Sequence, residues 1–182
     1  RALQALGCIR RKLGPKRFRC SLERIDGSQK TLTKLWNTAR FISMFSKPKN
    51  KPKKLETVDE WILTELNKMV KQANEQFEQY DFHNPTTAAK HFLWETFASH
   101  YLEMVKARAY NRDNAFSMQE QEAAIWTLYY CLETLLLVLA PVTPFITFSL
   151  FNQIFNSNIH LQEFPKTEKK MQKFPFSTAE LI

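Results

Sequence analysis

The chain has 182 residues, 44% apolar and 13% aromatic, which is enough for one domain with a sizeable core. Its three glycines, Gly7, Gly14 and Gly27, all lie within the first 27 residues, so the hairpin turns and phosphate-cradling loops that need glycine are excluded from the rest. The net charge of +8 is polarised, with 16 Lys/Arg against two acids in residues 1–54 and 10 against 16 in residues 55–182.

That asymmetry points either to a polyanionic partner met by the N-terminal third or to a solvated basic surface. The chain begins with Arg1 rather than methionine and is read as a piece of a longer protein. Cys8, Cys20 and Cys131 are odd in number and lack C-x-x-C spacing. Neither a disulfide framework nor a zinc site is expected, and a reducing cytoplasm is the default compartment.

In chain order, residues 2–13 predict a short helix packed through Leu3, Leu6 and Ile9. Residues 14–27 read as irregular chain, with turns at Gly14-Pro15 and Asp26-Gly27. A first long helix is expected over about 28–45, with Leu32, Leu35, Trp36, Ala39 and Ile42 on its core-facing side. Residues 46–56, "SKPKNKPKKLE", hold two prolines and five lysines and read as a solvated linker. A contact with a polyanionic partner is the other reading of those lysines.

Thr57 with Glu60 forms a T-x-x-E capping box ahead of a helix reaching about Tyr80. Asn84-Pro85 opens a third helix that carries Phe92, Trp94, Phe97, Tyr101 and Val105 and ends near Tyr110. Ser117 with Glu120 caps a fourth, which runs to Ala140, and Pro144 opens a fifth that ends near Asn156. Residues 123–139 are apolar, but this is 17 residues with Glu133 inside. A membrane span needs about 20 mostly uncharged residues, so a buried bundle helix is the better account and no membrane partner is expected. Short links favour antiparallel neighbours. The fold class is all-α, an antiparallel bundle of four to five helices. A lead-in covers residues 1–27, the helical domain 28–165 and a C-terminal tail 166–182.

Catalytic patterns are scarce. His91, His100, Glu95 and Glu103 share the third helix, but no H-E-x-x-H or Glu-x-x-His spacing occurs, so they read as packed or surface residues and no metal site is assigned. There is no G-x-S-x-G, P-loop or dinucleotide-binding glycine pattern. No catalytic residue is assigned to this chain, and it needs no cofactor of its own.

What remains is recognition. In "KLWNTARF" (34–41), Phe41 lies nearly opposite the apolar stripe, among Lys34, Asn37 and Arg40. Single-stranded nucleic acid is held by cations for phosphates and aromatic faces for unstacked bases. One ring, two cations and one amide meet that specification, and Arg24 precedes the same face. The alternative, that another helix buries Phe41, stands beside it.

Six segments carry a resemblance. "LERIDG", "LTKLWNTARFI", "TVDEWILTELNKMV", "FLWETFASHYLEMVKARAY", "LYYCLETLLLVLAPVTPFITFSLF" and "IHLQEFP" occur in that order. Together they resemble the anticodon-binding domain of the valine, isoleucine and leucine class I aminoacyl-tRNA synthetases, over about residues 20–165. The details are most similar to the valine-specific branch in its archaeal form, with the isoleucine-specific branch as the near alternative. A helical protein-interaction module is the alternative of another kind.

The resemblance implies a cytoplasmic, monomeric parent enzyme that attaches valine to tRNA with ATP and magnesium in a separate catalytic domain. This helical piece would grip the anticodon stem-loop. By carry-over, Phe41 would stack on an anticodon base, and Lys34, Asn37 and Arg40 would contact bases or phosphates. Arg24 would add an anticodon-loop contact, and Leu102 an apolar plate beside Phe41. The family's His-x-Gly-His and Lys-Met-Ser-Lys-Ser motifs are missing here, and Phe164 stands where the family has tryptophan. The basic segment 10–19 would add phosphate contacts.

Overall fold

The computed structural model describes residues 21–167. The helix expected over 2–13 and the basic segment 10–19 lie outside the described residues. Six α-helices and no strand occur among those described. They are α1 (Leu22–Ile42), α2 (Thr57–Glu78), α3 (His83–His91), α4 (Leu102–Tyr110), α5 (Met118–Leu139) and α6 (Pro144–Phe155). A π-helical segment, Phe92–Tyr101, joins α3 to α4, and a short 3₁₀ turn, Ile159–Leu161, follows α6.

The first helix starts earlier than expected. Asp26 and Gly27 are not a turn but part of α1, where Thr31 Oγ1 donates to the Gly27 carbonyl at 3.0 Å and Lys30 pairs with Asp26 at 3.0 Å, one turn apart. Starting the helix at Leu22 places Ser28, Thr31, Leu35, Thr38, Ala39 and Ile42 on the buried stripe. Trp36, expected in the core, falls beside that stripe and is 41% exposed.

The cap of α2 also differs from the expected Thr57–Glu60 box. Asp59 closes the first turn instead, its Oδ2 accepting from the Glu56 backbone N–H at 3.2 Å. At α3 the capping group is Asp81 rather than Asn84, its Oδ1 accepting from His83 N at 2.9 Å and Asn84 N at 3.2 Å. Pro85 still sits in the first turn, where its missing donor costs nothing. The Ser117–Glu120 box of α5 forms as the spacing predicts, with both reciprocal bonds present. Asn111 and Asn156, in left-handed conformation, end α4 and α6.

The apolar helix α5 is the centre of the bundle, packed against α1, α2, α3, α4 and α6. By length and composition it could cross a membrane, yet 67% of its most apolar window is buried against these neighbours. Leu128, Leu132, Leu135 and Leu136 are fully enclosed. The tail closes the other side, with Phe164 edge-on to Phe77 at 5.6 Å and Asn74 Nδ2 donating to the Pro165 carbonyl at 3.0 Å.

One polar cluster lies inside the core. The fully buried Asp59 accepts from both guanidinium arms of Arg108, one at 3.0 Å, and from the Tyr101 hydroxyl at 2.6 Å. This ties the start of α2 to α4 and to the π-helical segment. Burial, and then the Asp59 charge, push the Tyr101 hydroxyl well above its ordinary range.

Candidate nucleic-acid interface

A groove of about 700 Å³ runs between α1 and the π-helical segment with α4. From α1 come Lys34, Asn37 and Phe41; from the opposite wall come Trp94, Ala98, Leu102 and Lys106. The second set is spaced by four. Trp94 and Ala98 stand on the π-helical segment, Leu102 and Lys106 on α4. The segment meets its own backbone with side chains, since Ser99 Oγ donates to the Trp94 carbonyl at 2.7 Å and His100 Nδ1 lies 2.6 Å from the Glu95 carbonyl. A bulge of this kind frequently marks a functional site.

The ring of Phe41 has neighbours within the protein. It is half-buried, edge-on to Phe45 at 5.3 Å and to Tyr110 at 5.9 Å, which are themselves edge-on at 5.1 Å. This three-ring cluster fixes the orientation of Phe41, while its remaining surface lines the groove. The sequence left open whether Phe41 faces solvent or is buried; the fold does part of each. Lys106 Nζ sits 5.9 Å from the Phe41 ring centroid.

Lys34 is held in place rather than waving free. Its Nζ donates to Ser99 Oγ at 3.0 Å and lies 4.7 Å from the centre of the Trp94 ring. The hydrogen bond is exposed and the ring contact half-buried, so each is weak. Asn37 is exposed on the groove wall, and Leu102, 7% exposed, offers only its edge to the floor. Arg40 is exposed in the last turn of α1, off the groove lining. Arg24 stands in the first turn of α1, and its side chain lies outside the described residues.

Trp94, Tyr110 and Lys106 join the site without having been singled out from sequence. Trp94 read as core, yet it is half-buried and lines the groove. The four-residue spacing of Trp94, Ala98, Leu102 and Lys106 was visible in the sequence, but nothing local assigned it to this wall. The lining also contains Asp26 and Glu103, paired with Lys30 and Lys106 at 3.0 and 2.8 Å. Among the described residues, no group of three or more His, Cys, Asp or Glu is placed to hold a metal ion.

The arrangement offers aromatic and aliphatic surface at the floor, ammonium groups at the rim and one amide that can read a base edge. Comparison with known proteins follows the same line. Residues 59–181 match the family described as the anticodon-binding domain of tRNA ligase. The chain is 41% identical to a valine–tRNA ligase of Pyrobaculum aerophilum over 129 residues, 71% of this chain and 16% of that protein. It is 34% identical to a valine–tRNA ligase of Aeropyrum pernix over 165 residues, 90% of this chain and 20% of that one. It is 33% identical to a valine–tRNA ligase of Anaplasma marginale over 151 residues, 82% of this chain and 18% of that one. The chain thus spans a fifth or less of the length of these relatives.

Proposed function

We propose, since the chain belongs to the anticodon-binding domain family of tRNA ligases, that it reads the anticodon loop of a valine tRNA. The similar ligases from two archaea and a bacterium carry valine in their names, which favours valine over isoleucine. The parent enzyme is then a cytoplasmic, monomeric valine–tRNA ligase. Its catalytic domain lies outside these residues and uses ATP and Mg²⁺ to charge the acceptor end. This piece contributes position, because it holds one end of the tRNA while the other end reacts.

The observation that carries this reading is the exposed side of Phe41 on the floor of a groove rimmed by Lys34, Asn37 and Lys106. An unpaired base stacks on Phe41, which the Phe45–Tyr110 pair holds at a fixed angle. Asn37 meets the base edge, since its side chain both donates and accepts. Lys34 and Lys106 leave their present weak partners for backbone phosphates. Arg40 adds a cation in the last turn of α1, Arg24 is a further anticodon-loop contact by the family resemblance, and Leu102 supplies apolar contact beneath the base. Because the ring is already ordered, little conformational entropy is lost on binding.

The test is a titration of the chain at fixed low salt against transcripts with the valine anticodon and with a swapped anticodon. The matched transcript should bind tighter. Phe41→Ala should lose roughly 1–3 kcal/mol of stacking, about 5- to 150-fold in affinity. Since Phe41 also packs inside the protein, Phe41→Leu serves as the control, keeping apolar contact and removing the flat ring. Equal binding of both transcripts by the wild type, or full affinity in both variants, refutes the reading.

A further inference from the structure

Residues 47–54 hold five lysines and two prolines, a composition that by itself describes a solvated tether. The fold treats them otherwise. Lys47 Nζ lies 4.5 Å from the Phe155 ring centre and Lys51 Nζ 5.3 Å from that of Trp126. The Trp126 ring is in turn stacked on Tyr130 at 5.0 Å. At the entry, the Tyr129 hydroxyl donates to the Phe45 carbonyl at 2.6 Å; at the exit, Lys54 reaches Glu56 at 3.4 Å. Two cation–π seats and two prolines of fixed φ therefore hold this segment as a strap across the N-terminal half of α5 and the end of α6.

The strap encloses a cavity of about 450 Å³ whose lining includes Lys49, Lys51, Lys53, Lys54, Gln119 and Glu122. Lys49, Lys53 and Lys54 are exposed. Four ammonium groups around one hollow, against one carboxylate in its lining, suit a compact polyanion. Lysine is a point charge with rotatable donors, fitted to phosphate oxygens rather than to base edges. Among the described residues no aromatic ring lines the hollow, so it gives a base nothing to stack on.

We propose that this strap is a clasp for RNA backbone phosphates, a second tRNA contact distinct from the base-reading groove. It rests on the anticodon-domain reading above. The division of labour follows from chemistry: the groove discriminates sequence, while the clasp adds sequence-independent affinity and fixes register. Because the strap is already seated on its rings, binding orders little new chain.

The test uses the 182-residue chain, a matched and an anticodon-swapped transcript, and a salt series. The triple variant Lys49→Gln, Lys53→Gln, Lys54→Gln leaves Lys47 and Lys51 on their rings, and circular dichroism checks the fold. The slope of log affinity against log salt should become shallower by about 0.7–0.9 for each phosphate no longer neutralised, roughly 2 in all. The weakening should be equal for both transcripts, and wild type and variant should converge as salt rises. Glu122→Gln should strengthen both. An unchanged slope in the triple variant overturns the clasp, and weakened binding to polyglutamate alongside it would assign the strap to an acidic protein instead. Absence of salt-dependent RNA binding by the wild type overturns it as well. The anticodon reading fails separately, when the wild type binds matched and swapped transcripts alike while the slope still falls.

Discussion

Replacing Asp59 with asparagine should be among the most damaging single-atom-scale changes in this chain. The carboxylate is fully buried and accepts from Arg108 through both guanidinium arms, from the Tyr101 hydroxyl and from the Glu56 backbone N–H. An asparagine amide keeps one acceptor oxygen and turns an NH₂ toward donors. Arg108, only 8% exposed, is left with an uncompensated charge. Removing one partner of a buried pair typically costs about 3–5 kcal/mol, against a total stability of roughly 5–15 kcal/mol for a domain. Arg108→Met keeps much of the aliphatic volume and leaves the carboxylate with the Tyr101 and Glu56 donors, so it should fall at the lower end of that range. The double variant should cost less than the sum of the singles by at least about 1 kcal/mol, since each removes the other's orphaned charge. Urea midpoints followed by tryptophan fluorescence would give all four corners of the cycle. A loss below about 1 kcal/mol in Asp59→Asn, or strict additivity in the double variant, would refute the claim that this pair is desolvated.

Two further outcomes are expected. Burial, and then the nearby Asp59 charge, push the Cys131 thiol well above its ordinary 9.0, while burial pushes the Tyr101 hydroxyl well above 10.0. Because the folded values lie above the unfolded ones, the folded chain binds more protons in that window. Stability is therefore complete below pH 9.0 and falls as pH rises, by at most about 1.4 kcal/mol per pH unit for each group. Cys131→Ala should delay the onset to about pH 10.0, where Tyr101 takes over; an unmoved alkaline profile in denaturant titrations would contradict this. Gly27→Ala should raise stability by about 1 kcal/mol, because Gly27 is helical and a Cβ there meets nothing within 4 Å. A lower urea midpoint in that variant would show that α1 begins after residue 27, as the sequence alone implied.

Much of the site was legible because α1 carries it on one face. Lys34, Asn37 and Phe41 recur at near-helical spacing, so any helix through them brings them together, and in the fold these three share one wall of the groove. Arg40 lies one residue from Phe41 in the chain but points off that lining. The opposite wall was not legible. Whether Trp94 points into the core or the groove depends on the turn geometry of the π-helical segment, and an α-helical wheel assigns it to the wrong side.

The features readable from residue order are local in origin. The long helices, the buried course of α5 and the Ser117–Glu120 cap follow from patterns spanning a turn or two, where neighbours in sequence are neighbours in space. Competition between nearby caps already strained that logic, and Asp59 and Asp81 prevailed over Glu60 and Asn84 because their carboxylates reach the free N–H groups. It took the packed fold to bring Asp59 to Arg108, to set Tyr110 behind Phe41, and to seat Lys47 and Lys51 on aromatic rings instead of leaving them to trail in solvent. Those pairs are far apart in sequence. Packing of α4 and α5 against their neighbours creates their proximity, and no local propensity encodes it.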